Sequence, residues 1–218
     1  MIQDASHRTP TFEEQHHESD GNETRCDRHW RLARHRRGDR GEGRCRARRI
    51  VEAELGRVDA LVNNAGVLKT VPLADTSDAL YDQTFDIVRG TFNTLREAAA
   101  RMNAGGRIVN FSSTMLALNM PGYAIYNATK AVVEAFTHVF AKELRGRGIK
   151  VNAIAPGPVA TSLFLDGKSD EQIAAFSKMP PLERLGQPDD IASVVAFLVG
   201  PDAGWINGQV LRANGGVA

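Results

Sequence analysis

From about residue 50 onward the chain alternates short apolar runs with long stretches of helical period. Asp59-Ala-Leu-Val-Asn-Asn-Ala-Gly66, Gly106-Arg-Ile-Val-Asn-Phe-Ser-Ser113 and Lys150-Val-Asn-Ala-Ile-Ala are brief, β-rich and bounded by small or polar residues. They predict strands at about 58–63, 106–112 and 149–154, with a last strand over 209–213. Helices are predicted at about 76–103, 122–146 and 189–199. Between them, residues 162–188 read as a mobile segment in which Gly167-Lys-Ser-Asp-Glu opens a short capped helix. Strands separated by long helices imply an α/β fold with a parallel sheet and a site at its carboxyl edge.

The chemistry on this frame concentrates in Tyr126-Asn-Ala-Thr-Lys130. A spacing of four puts the phenol and the ammonium on one face of the predicted helix. A cation there favours phenolate and is expected to pull the tyrosine pKa below its ordinary value, which suits proton exchange with a ketone or alcohol oxygen. Thirteen residues upstream, Ser113 closes a predicted strand and offers a hydroxyl. Ser112 and Thr114 are neighbouring hydroxyls, and Tyr123 is a second tyrosine without a lysine four residues later. Asn63 and Asn64 could tie a turn, and Pro156-Gly157 could be turn punctuation alone.

From about Ile50 to its end the chain resembles the short-chain dehydrogenases/reductases, and more narrowly their 3-oxoacyl-acyl-carrier-protein-reductase-like branch. The resemblance rests on Asn63-Asn-Ala-Gly66, Ser113, Tyr126-x-x-x-Lys130, Pro156-Gly157 with Thr161, and a tail running from Gly204-Trp-Ile-Asn-Gly208-Gln to Gly215-Gly216. It implies a Rossmann-like, doubly wound parallel sheet and hydride transfer between NAD or NADP and a carbonyl or secondary alcohol. In that reading Tyr126 is the general acid/base, Lys130 holds the nicotinamide ribose and keeps the tyrosine pKa low, and Ser113 holds the substrate oxygen. Asn63, Asn64, Ala65 and Gly66 line the cofactor side of the sheet. Pro156, Gly157 and Val159 bring backbone to the nicotinamide, and Thr161 binds its carboxamide. Leu163, Phe164, Leu165, Phe176 and Met179 suggest an apolar substrate pocket under a lid, or simply pack that lid onto the sheet. A homo-oligomer, dimer or tetramer, follows from the same resemblance.

Two departures qualify it. The helix before the serine strand reads Phe85-Asp-Ile-Val-Arg-Gly-Thr-Phe92, where family members carry an asparagine that anchors a relay water; it is replaced by Ile87 or deleted beside it, and Asn93 and Asn103 are out of register. More seriously, residues 1–49 lack the strand, glycine-rich turn and helix that receive a dinucleotide pyrophosphate, and the strands after them. The first βαβαβ half of the sheet is therefore expected to be missing or scrambled, which would leave the strand ending at Asn63 as an exposed apolar edge.

Residues 1–24 are polar and without period; residues 25–49 are crowded with arginine and contain no lysine. Such a composition is what a GC-rich gene yields out of frame. Shifting permitted codons for residues 25–41 by one base can restore a Thr-Gly-Ile-Gly…Gly-Ile-Gly turn. Residues 1–49 are thus expected to be disordered or frameshift-derived, and 50–218 to form a single domain. Without the glycine-rich turn, a catalytically silent remnant is the alternative to an active enzyme. A third reading, nucleic-acid binding by the arginine block, has little aromatic support beyond Trp30.

Charge and composition add limits. Formal net charge is +1, which averages a basic block against a more acidic remainder. Cys26 and Cys45 imply no disulfide framework, and with His29 and His35 they match no common zinc spacing, so no metal is expected. No membrane-length apolar stretch or signal core is present in the sequence, so a cytoplasmic setting without membrane contact is expected.

Overall fold

The computed structural model describes residues 56–218. Expectations for residues 1–49, and for completeness of the sheet on that side, lie outside the described residues. Among the described residues four parallel strands run in the order β1 (Ala60–Asn63), β2 (Arg107–Phe111), β3 (Lys150–Pro156) and β4 (Val210–Ala213). Ile108 pairs with Leu61 on one side and Val151 on the other, and Ile154 lies between Phe111 and Leu211.

The helices are α1 (Asp78–Arg101), α2 (Met115–Leu118), α3 (Ala124–Glu143), α4 (Ser162–Leu165), α5 (Asp170–Lys178) and α6 (Pro188–Val199). On one face of the sheet Leu95, Ala98 and Met102 of the α1 region and Ala141 and Leu144 of the α3 region pack on Ile108 and Val151. On the other, Ile191, Val195 and Leu198 of α6 pack on Val109 and Ile154. With both faces covered, β2 and β3 read as nearly unbroken apolar runs. No helix among the described residues is long and apolar enough to cross a membrane.

Local chemistry sets the helix limits. Ser77 caps α1 by accepting the Leu80 N–H at 3.3 Å. α3 stops short of its predicted end because Gly146 and Gly148 adopt φ of +84° and +66°. Ser169 and Gln172 form a capping box at the start of α5, as the Gly167-Lys-Ser-Asp-Glu run predicts. The one-turn helices α2 and α4 carry no periodic signal and were not expected.

A polar seam crosses the face covered by α1 and α3 at the carboxyl ends of the first two strands. The Thr94 hydroxyl donates to Asn63 Oδ1 at 2.7 Å, and Asn63 Nδ2 donates to Asn110 Oδ1 at 2.8 Å. Asn110 Nδ2 donates to Thr137 Oγ1 at 2.9 Å, whose own proton goes to the Val133 carbonyl. Asn110 and Thr137 are fully buried, so each bond replaces water that cannot reach them. The seam joins α1, β1, β2 and α3.

Candidate active site

Ser112, Ser113 and Thr114 follow directly on the end of β2, and α3 packs against this end of the sheet. The Tyr126 hydroxyl lies close enough to the Ser113 side chain for the serine to lower its pKa. One turn further along α3, Lys130 Nζ donates to the Phe111 carbonyl at 2.8 Å and lies 5.6 Å from the Tyr126 ring centroid. Lys130 is buried, and a Cβ on Gly66 would sit 3.9 Å from its Nζ. Ser113, Tyr126, Lys130 and Gly66 are therefore brought together at the carboxyl edge.

Burial controls the electrostatics. It pushes the Tyr126 hydroxyl above its ordinary value; the Ser113 side chain pulls it down and neighbouring Tyr123 raises it. The Lys130 ammonium, also desolvated, is lowered to about 8. The expectation of a tyrosine pulled down by its lysine is corrected here. Desolvation penalises phenolate and ammonium alike, and Lys130 directs a hydrogen bond at a backbone carbonyl. Tyr126 is therefore a neutral phenol near neutral pH, poised to give a proton.

Tyr123 is buried at the N-cap of α3 and meets Tyr126 edge-on, with centroids 6.2 Å apart. Ser112 turns to Glu134 Oε1 at 2.5 Å, and Thr114 donates to the Ala155 carbonyl at 3.0 Å, so neither hydroxyl shares the place of Ser113.

The other expected residues have distinct settings. Asn63 commits its side-chain amide to the polar seam, while Asn64 and Ala65 are exposed. The Pro156 carbonyl accepts the Thr114 N–H at 3.0 Å, which ties the β3 end to the serine loop. A Cβ on Gly157 would come within 2.8 Å of Asn214 Cα, so glycine is required there by the returning chain after β4. Val159 bridges to Gly186, and its carbonyl accepts the Thr161 N–H at 2.8 Å; the Thr161 hydroxyl makes only a 3.5 Å approach to the same oxygen. Phe164 and Phe176 pack edge-on at 5.1 Å, whereas Leu163 and Met179 are exposed.

α1 is unbroken through half-buried Ile87. Asn93 accepts from Arg96 and Asn103 donates to Asp59 at 2.6 Å, so neither takes the place of the expected relay asparagine. Sequence reasoning missed Asn127 and Glu134, which bind the serine segment from α3. Their only signal is the helical register they share with Tyr126 and Lys130.

Comparison with known proteins agrees with this geometry. The family model described as enoyl-(acyl carrier protein) reductase matches residues 45–218. A short-chain type dehydrogenase/reductase of Picea abies is 46% identical over 170 residues, covering 76% of this chain and 63% of that protein. The chain thus spans less than two thirds of that relative's length. A 3-oxoacyl-[acyl-carrier-protein] reductase of Staphylococcus aureus is 40% identical, covering 77% of this chain and 69% of its own. Among solved structures, a blue fluorescent protein from a metagenomic library in complex with NADPH superposes with a TM-score of 0.74 at 34% identity, covering 79% of this chain and 70% of that one. Together with the parallel sheet and the motifs at its carboxyl edge, these matches show that the chain belongs to the short-chain dehydrogenase/reductase family, in its 3-oxoacyl-acyl-carrier-protein-reductase-like branch.

Proposed function

We propose that the chain interconverts a carbonyl and a secondary alcohol with a nicotinamide dinucleotide, using Tyr126 as general acid/base. The observation that carries this reading is the gathering of Ser113, Tyr126 and Lys130 at the carboxyl edge, with Lys130 Nζ 5.6 Å from the Tyr126 ring centroid. The NADPH bound by the metagenomic neighbour favours NADP over NAD. The donor set fits the nicotinamide end of such a cofactor. Lys130 has one hydrogen bond, to Phe111, leaving ammonium N–H groups for ribose hydroxyls. Gly66 keeps its Cβ out of the space before that ammonium. In this reading Asn63, Asn64 and Ala65 belong to the same turn, and Pro156, Gly157, Val159 and Thr161 would meet the nicotinamide.

When bound, the nicotinamide supplies or accepts the hydride. Ser113 orients the substrate oxygen by a hydrogen bond. Tyr126 gives its phenolic proton to that oxygen as negative charge develops, and Lys130 as a cation stabilises the phenolate left behind. The lid carrying α4 and α5 offers an apolar wall, consistent with a hydrophobic ketone or acyl substrate. A homo-oligomer belongs to the same reading, since Tyr81 and Phe92 on α1 and Val139 on α3 leave apolar surface exposed.

The test is NADPH binding and oxidation by the full chain with a panel of ketones, aldehydes and 3-oxoacyl thioesters. Reduction is expected, and its rate should fall as pH rises through about 8, where Lys130 loses its charge. Failure to bind NADPH or NADH would establish the silent-remnant alternative.

The reading treats residues 50–218 as one domain and residues 1–49 as frameshift-derived. Sequencing the coding DNA across codons 20–55 checks this: the shifted frame should encode a Thr-Gly…Gly-Ile-Gly turn. A shifted frame without that turn would make the basic arm genuine.

A further inference from the structure

Consecutive groups at the end of β2 are each held by a different residue of α3. The Phe111 carbonyl accepts from Lys130 at 2.8 Å, the Ser112 hydroxyl donates to Glu134 Oε1 at 2.5 Å, and the Ser113 side chain lies by the Tyr126 hydroxyl, whose pKa it lowers. Past the serine, the Met115 carbonyl accepts from Asn127 Nδ2 at 2.9 Å, and the Met115 N–H returns to Ser113 Oγ at 3.2 Å. At about 100° per residue, positions 126, 127, 130 and 134 fall within about 100° of the helix circumference, so one face makes all four attachments.

Two of these attachments belong to the proton-transfer residues. The other two have no part in the chemistry described above, yet they grip the segment immediately before and immediately after Ser113. Glu134 fixes the preceding residue. Asn127 fixes Met115, whose amide in turn occupies Ser113 Oγ and so limits the directions left to the serine hydroxyl. Ser112, Ser113 and Met115 are all buried, so a released hydroxyl or carbonyl finds no water to replace its partner. Asn127 Oδ1 is itself buried without a partner, next to Tyr126 in the chain.

We propose that Glu134 and Asn127 are positioning residues that clamp the segment carrying Ser113 onto α3, setting the serine hydroxyl against Tyr126. The proposal rests on the reductase reading for its kinetic consequences but not for its geometry. Displacing an oriented group by about 1 Å can cost on the order of a hundredfold in rate. Glu134→Ala is therefore expected to lower kcat at least tenfold with KM and NADPH affinity within about twofold. Glu134→Gln, which keeps an acceptor oxygen for Ser112, should restore kcat to within about threefold of the parent. Asn127→Ala should behave like Glu134→Ala.

Ultraviolet difference titration of the tyrosines, with Tyr126→Phe subtracted, supplies a readout that needs no turnover. Because the Ser113 side chain pulls the Tyr126 pKa down, Glu134→Ala and Asn127→Ala should move its ionisation to higher pH, in the same direction as Ser113→Ala. A parent protein without turnover would sink the reductase reading and leave the titration to decide the clamp. An unchanged Tyr126 titration in both alanine variants would overturn the clamp, as would unchanged kcat in an active enzyme. Equal losses in Glu134→Ala and Glu134→Gln would assign the effect to charge and overturn it too.

Discussion

Replacing Tyr126 by phenylalanine should reduce carbonyl reduction by about 10²–10⁴-fold, the usual contribution of a positioned proton donor. The ring would remain edge-on to Tyr123 and beneath the Lys130 ammonium, so packing is retained and only the hydroxyl is lost. Its structural cost is the loss of the hydroxyl's interaction with Ser113, on the order of 1 kcal/mol at most. NADPH affinity measured by fluorescence titration should stay within a few fold, because the ammonium and the glycine turn are untouched. The discriminating comparison is kcat against thermal midpoint: a collapse of the first with little change in the second. A variant that keeps more than about a third of its kcat would show that another group supplies the proton. Tyr123, buried next to it, would then be the first to replace.

Lys130→Met should separate stability from activity. In the folded chain the ammonium is desolvated and its pKa falls from 10.5 to about 8, a gap equivalent to about 3 kcal/mol. Between those values the unfolded chain binds more protons than the folded one, so stability rises with pH through this window. Below about pH 8 the folded protein bears the whole cost of the buried charge. A methionine of similar length removes that cost and forfeits the bond to the Phe111 carbonyl, about 1 kcal/mol. The variant should therefore be more stable than the parent by about 1–2 kcal/mol at pH 7, with the advantage shrinking toward pH 10. Its reductase activity should fall by about a hundredfold or more, as expected on losing a charge aimed at a developing anion. Urea denaturation at the two pH values checks the sign. A variant less stable at pH 7 would mean that the ammonium contributes net stability in place.

The strands and long helices were legible because a sheet covered on both faces writes continuous apolar runs, and its covering helices write period 3.6. Their ends were less so. Gly146 and Gly148 stop α3 by adopting left-handed backbone, which the apolar pattern alone does not locate. The site followed the same division. Ser113, Tyr126 and Lys130 were readable by spacing, and the structure gathers them. Asn127 and Glu134 look like ordinary residues on a solvated helix until the serine segment is seen against them. Asn63 is legible as a strand-end asparagine, but the bond of its amide to Asn110 is not. The ionisation of Tyr126 was misjudged because a sequence names the charged neighbour but does not weigh the water removed from both groups.

The polar seam through Thr94, Asn63, Asn110 and Thr137 has an evolutionary corollary. Each member bonds the next, and at buried Asn110 an apolar replacement of Asn63 or Thr137 strands an amide group that water cannot reach. Exchanging Asn63 and Asn110 together for packed apolar residues can be nearly neutral, while either change alone is costly. These positions should therefore drift in pairs: a lineage that loses one must pass through a less stable intermediate or change both within a short interval.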